Sequence, residues 1–107
     1  MSWVKIFSSV HDALQHIAEK EIRSLKYQEK TYCLIRYRDT FYVSDSKCPH
    51  RGASLLEGKL NNFAELICPL HEYRFNLNSQ GECHTNCKAL NVYECKQDES
   101  GVYFNPE

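Results

Sequence analysis

Apolar positions in this chain recur in short runs with polar residues between them, and the runs change period once. Residues 3–7, WVKIF, read as a first strand. In residues 10–20, VHDALQHIAEK, Val10, Leu14 and Ile17 fall on one face at the i, i+4, i+7 spacing, which predicts a helix. Ser9, with Asp12 three residues on, resembles a capping box at its start. Strand chemistry follows. Residues 22–28 (IRSLKYQ) and 31–38 (TYCLIRYR) are rich in β-branched and aromatic side chains, with Glu29 and Lys30 as the turn between them. Arg38-Asp39-Thr40 marks a turn before the strand 41–45. Residues 64–68, 73–77, 90–95 and 102–104 complete the set, punctuated by Gly81 and Gly101.

Many short strands and one helix predict an all-β domain, an antiparallel β-sandwich or barrel with a single N-terminal helix. The length of 107 residues suits one domain over 1–107, and no repeat, low-complexity tract or linker divides it. Residues 46–63 break the pattern. They hold Cys48, Pro49, Gly52, Gly58 and Asn61-Asn62 with little alternation. A long loop of that kind in a compact domain is usually functional or disordered.

Charge narrows the function. The formal net charge of −1 gives no basic field for nucleic acid, and no stretch approaches the roughly 20 apolar residues of a membrane span. The first residues lack an apolar signal region, so the cytoplasm is the expected location. Six cysteines would suggest disulfides in a secreted chain, but a reducing compartment turns the balance towards metal.

Two cysteines stand beside histidines at short offsets: Cys48 with His50, and Cys68 with His71. Two thiolates and two imidazoles fit tetrahedral zinc or a mixed iron–sulfur site. Zinc fingers group like with like, whereas each loop here carries one ligand of each type. Two loops facing each other across a two-iron cluster would use that division. Each would send its cysteine to one iron and its histidine to the other.

CPHRGASL and CPLHEYRFN resemble the two cluster loops of the Rieske [2Fe–2S] family, with the pattern C-x-H … C-x2-H. The resemblance implies a Rieske-type fold with a two-loop cluster-binding subdomain, its loops at about 46–57 and 66–76. It implies one [2Fe–2S] cluster per chain, held by Cys48, His50, Cys68 and His71. Pro49 and Pro69 would stiffen the two turns, and Gly52 would adopt φ > 0 or pass close to the cluster. High-potential respiratory members add an inter-loop disulfide, where this chain has Ala53 (or Gly52) and Leu70. They also place serine and tyrosine hydroxyls near the sulfurs, where this chain has Tyr73 and Phe75. A low-potential centre is therefore expected. Many members have glycine after the second histidine. Here it is Glu72, a strained choice if the position needs φ > 0, with a charge that Arg51 and Arg74 could offset.

The function implied is one-electron transfer from a flavin-containing ferredoxin reductase to an oxygenase-type terminal enzyme, with transient partners and neither nucleic acid nor membrane. No 2-His-1-carboxylate site lies outside the cluster loops, and no catalytic residue is assigned, so the chain reads as an electron-transfer component rather than a complete enzyme. The alternatives are a nitrite reductase small-subunit-like protein, a zinc-stabilised binding module and a redox sensor. Cys83 and Cys87 are expected to be free thiols in a loop packing over the cluster. Cys33 and Cys95 are expected to be small core residues. His11, His16 and Trp3 are read as surface or packing residues. Pro49, Pro69 and Leu70 would form an apolar rim for the partner.

Overall fold

The computed structural model describes residues 3–50, 52–70, 72–84 and 88–107. Its central element is a four-stranded antiparallel sheet in the order β2 (Ile22–Tyr27), β3 (Lys30–Tyr37), β4 (Thr40–Asp45), β9 (Val92–Tyr93). Successive side chains of a strand point to opposite faces. In β3 that alternation feeds two cores at once. Tyr32 and Leu34 join one, with Ala13, Ile17, Phe41, Val43, Val102 and Phe104. Cys33 and Ile35 join the other, with Leu55, Leu66, Phe75, Leu77 and Leu90. The long apolar run of β3 is the signature of a strand covered on both faces.

One face is covered by α1 (Val10–His16) and a three-stranded sheet in the order β1 (Val4–Phe7), β11 (Gly101–Phe104), β10 (Cys95–Asp98). The other is covered by a smaller sheet in the order β5 (Lys59–Leu60), β6 (Glu65–Ile67), β7 (Arg74–Asn76), β8 (Glu82–Cys83). β4 and β9 are adjacent in the central sheet, so the smaller sheet and its loops, residues 46–91, are an insertion between two paired strands. The predicted all-β architecture with one N-terminal helix is what the structure shows.

Several predicted boundaries move. The helix starts as expected: Ser9 Oγ accepts from the Asp12 N–H at 3.0 Å. It ends at His16 rather than residue 20, because basic side chains take its last carbonyls. Arg36 Nη1 donates to Leu14 O (3.2 Å) and Ile17 O (2.7 Å), and Arg23 Nη2 to His16 O (2.8 Å). Tyr27 pairs with Lys30, so the first hairpin turn is Gln28-Glu29, one residue earlier than predicted. Both turn residues have φ > 0 (49° and 66°), the conformation that suits the twist of a two-residue hairpin. Neither is Gly or Asn, so the turn carries no sequence mark. The single strand expected at 90–95 is two. Val92 and Tyr93 pair with β4, then the chain changes sheets and Cys95 pairs with Phe104. Alternation is identical on either side of Glu94, so periodicity cannot register a change of partner.

Candidate metal centre

The two loops that carry the Cys/His pairs are built alike. In the first, the Cys48 N–H donates to Ala53 O at 2.8 Å. In the second, the Cys68 N–H donates to Tyr73 O at 2.8 Å. Both bonds span five residues, and in both loops the fourth residue after the cysteine has φ > 0: Gly52 at 73° and Glu72 at 54°. The expected left-handed conformation is thus present at both positions, and in the second loop a glutamate adopts it.

Each loop is anchored on a strand end. β4 delivers the first, which is closed again by a bridge between Lys47 and Ser54 and by the Leu55 N–H on Ser46 O (2.8 Å). A 3-10 helix, Leu55–Glu57, follows, with Ser54 Oγ as its cap. β6 and β7 frame the second loop. The root of the first is further held at Asp45, whose carboxylate accepts from Tyr93 Oη (2.5 Å) and Asn91 Nδ2 (2.9 Å) and pairs with Lys30 Nζ (3.1 Å). Burial raises the Asp45 pKa, but these three donors outweigh it and hold the carboxyl below its ordinary value.

The cysteines are buried and the histidine of the first loop is not. Cys48 is 2% and Cys68 0% exposed, both in the core of the smaller sheet, while His50 is exposed. The two thiols are close enough to act on each other electrostatically, and both belong to one core cluster. Burial pushes the Cys68 thiol up, and the neighbouring Cys48 thiol adds to the rise. The Leu70 N–H, which donates to the Cys68 sulfur, acts the other way. Such an amide would stabilise a thiolate. Two buried, mutually interacting thiols, one with an amide near its sulfur, are a donor set suited to two thiolates on one iron. His71 and Arg51 lie outside the described residues. Among the described residues no three His, Cys, Asp or Glu side chains form a group for a single metal ion.

The surroundings match some expectations and correct others. Pro69 and Leu70 are exposed and Pro49 is half-buried. Phe75 is fully buried in the core, so the position where a tyrosine hydroxyl stands in high-potential members holds an inward-facing ring. Arg74, expected as a counter-charge for Glu72, pairs with another carboxylate. Its Nε pairs with Glu65 Oε1 at 3.6 Å. Cys83 was expected to be a free thiol, and this is corrected: it is disulfide-bonded. The expectation rested on compartment, which governs redox balance and not which sulfurs the chain brings together. Cys87 lies outside the described residues. Cys33 and Cys95 are free, and burial pushes their thiols up to about 12 and about 11, which leaves them unreactive. Cys33 is a core residue, whereas Cys95 is only half-buried. His11 and His16 are exposed, as expected.

Sequence reading missed one part of the site. The Tyr73 ring lies edge-on to His50, with centroids 4.2 Å apart and planes at 72°. Nothing in the spacing of residues 50 and 73 signals that contact, since they belong to different loops.

No helix among the described residues is long and apolar enough to cross a membrane. The family model for the Rieske [2Fe–2S] domain matches residues 6–94. The ferredoxin component of the naphthalene 1,2-dioxygenase system of Pseudomonas putida is 31% identical over 94 residues, 87% of this chain and 89% of that protein. The ferredoxin component of the alkene monooxygenase system of Xanthobacter autotrophicus is 31% identical over 65 residues, 61% of this chain but only 53% of that protein. Among solved structures, a chain from the complex of reduced oxygenase and oxidized ferredoxin in carbazole 1,9a-dioxygenase superposes with a TM-score of 0.78. It is 27% identical and the match covers 98% of this chain and 94% of that one. On these matches, and on paired loops that bring two buried thiols together, the chain belongs to the Rieske [2Fe–2S] domain family, whose cofactor is a Rieske [2Fe–2S] cluster.

Proposed function

We propose that the chain, acting as one unit over residues 1–107, is a small one-electron carrier that passes electrons from a flavin-containing reductase to an oxygenase-type terminal enzyme. Cys48 and Cys68 would hold the inner iron of the cluster, and His50 and His71 the outer one. The cluster supplies reversible one-electron chemistry when bound. The observation that carries this reading is the burial of Cys48 and Cys68 in one core cluster at the floor of two like-built loops, with His50 exposed.

The chain's own residues divide the work. The buried cysteines keep the inner side dry, in a core that includes Leu55, Leu66 and Phe75. The exposed His50, Pro69 and Leu70 would meet the acceptor. The solved relative in complex with an oxygenase supports an acceptor of that class. Phe75 offers no hydroxyl to the sulfurs and no inter-loop disulfide position is occupied by cysteine, which supports a midpoint potential in the lower part of the Rieske window of roughly −150 to +300 mV.

Iron and acid-labile sulfide analysis, with an EPR spectrum of the dithionite-reduced protein, tests the reading. Two irons and two sulfides per chain, with the low average g-value of histidine ligation, are expected. Zinc without sulfide, or an EPR-silent reduced protein, overturns it. A midpoint above about +100 mV overturns the low-potential assignment alone.

A further inference from the structure

Tyr73 takes part in both cluster loops at once. Its carbonyl closes the second loop by accepting from the Cys68 N–H at 2.8 Å. Its ring reaches the first loop and packs T-shaped against the His50 ring, with centroids 4.2 Å apart. The same ring also neighbours His84, with centroids 6.3 Å apart and planes tilted by 54°. His84 is itself fixed. Its N–H donates to Arg74 O at 3.0 Å, and its Nδ1 accepts from the Arg74 N–H at 3.0 Å. That pair of bonds places the ring proton on Nε2 and extends the ladder between β7 and β8 past its last strand residue. The preceding residue, Cys83, is buried and disulfide-bonded.

We propose that Tyr73 is the clasp of the cluster loops, with its backbone closing the Cys68 loop, its ring orienting His50 and His84 backing the ring. The proposal rests on the reading that His50 ligates the cluster. An exposed imidazole on a turn can rotate, and rotation swings the coordinating nitrogen away from its iron. Edge-to-face packing against a ring that is fixed at its own backbone removes that freedom. Groups that orient a metal-bound histidine from behind commonly alter metal retention by 10–100-fold when removed. This chain has no cysteine pair to join its two loops across the cluster, so an aromatic contact supplies the cross-link. Tyr73 is a positioning residue in this scheme.

The test compares wild type, Tyr73→Leu, Tyr73→Phe and His84→Ala as purified holoproteins. Three quantities are read: the rate of iron loss to a chelator, the histidine-nitrogen couplings in the pulsed EPR spectrum of the reduced cluster, and the thermal midpoint. Tyr73→Leu is expected to lose iron about tenfold faster, with one of the two histidine couplings altered. Tyr73→Phe keeps the ring and is expected to stay within about twofold of wild type with both couplings intact. His84→Ala is expected to shift the same coupling in the same direction by less. A lower thermal midpoint in Tyr73→Leu with unchanged couplings marks Tyr73 as ordinary packing and overturns the proposal. So does a Tyr73→Phe variant as impaired as Tyr73→Leu, which would place the effect in the hydroxyl. If Tyr73→Leu does not assemble a cluster, His84→Ala carries the test, and its equivalence to wild type overturns the clasp. A wild-type chain without two irons and two sulfides overturns the ligand reading beneath it.

Discussion

The two cluster loops share a hydrogen-bonding plan but differ in what holds them. The first places glycine at its left-handed position, Gly52, and its root is tied by Asp45 to Lys30, Asn91 and Tyr93. The second places Glu72 at the equivalent position and has short strands on both sides. A Cβ built on Gly52 would meet nothing within 4 Å. Glycine is therefore needed there for conformation and not for room. The second loop meets the same demand with a residue that pays for it in backbone strain, roughly 1–2 kcal/mol. One backbone plan thus tolerates two solutions, and the strained one lies in the loop that Tyr73 closes.

Removing either sulfur is the most severe way to break the equivalence of the loops. Cys48→Ser and Cys68→Ser are each expected to abolish two-iron loading, read as iron and sulfide content and the reduced EPR signal. One variant retaining a full cluster would show that the loops do not contribute alike. Gly58→Ala comes next. It follows the first loop's 3-10 helix, and its Cβ would stand 2.3 Å from Ile67 O, the carbonyl just before Cys68. Overpacking against backbone predicts a loss of about 2–3 kcal/mol in urea unfolding. A smaller loss would mean that the seam between the loops is soft.

Gly52→Ala and Glu72→Gly address the left-handed positions directly. The first is expected to cost about 1 kcal/mol, and the second to be neutral or stabilising by up to about 1 kcal/mol, because released strain is offset by glycine's greater entropy in the unfolded chain. Equal signs would remove the distinction between the loops. Acid sensitivity should trace to the first loop. Asp45's folded pKa is depressed, so its contribution is present above its unfolded value of about 3.9 and is lost as pH falls through the lower folded value. Asp45→Asn should lower the thermal midpoint at neutral pH and flatten its decline in acid. An unchanged acid limb would leave the root of the first loop without an electrostatic anchor. The smallest effect belongs to Glu72→Gln. Removing a negative charge near the second loop favours reduction, and an exposed charge of this kind should raise the midpoint by roughly 10–40 mV. A fall, measured by redox titration, would reverse the assigned sign.

The three longer strands of the central sheet, β2 to β4, were legible because they are rich in β-branched and aromatic residues. The two-residue strands β5 and β8 were not, since so short a segment has no period. The helix start was visible in Ser9. Its end was not, because the groups that take the last carbonyls, Arg23 and Arg36, come from later strands. The pairing of thiol with imidazole in each loop was legible as chemistry, since ligand type and spacing are local. The turn at Gln28-Glu29 and the change of sheet at Glu94 carry no local mark.

By itself, then, the sequence determined the β-rich class, the N-terminal helix and the four candidate ligands. These follow from side-chain period, donor chemistry and backbone sterics, all of which act over a few residues. Only the tertiary structure decided that β3 serves two cores and that the cluster loops are an insertion between paired strands. It also decided that Cys83 is oxidised and that Tyr73 of one loop lies against His50 of the other. The physical reason is that these depend on which surfaces bury one another. Burial is settled between segments distant in sequence, where no local pattern records the partner.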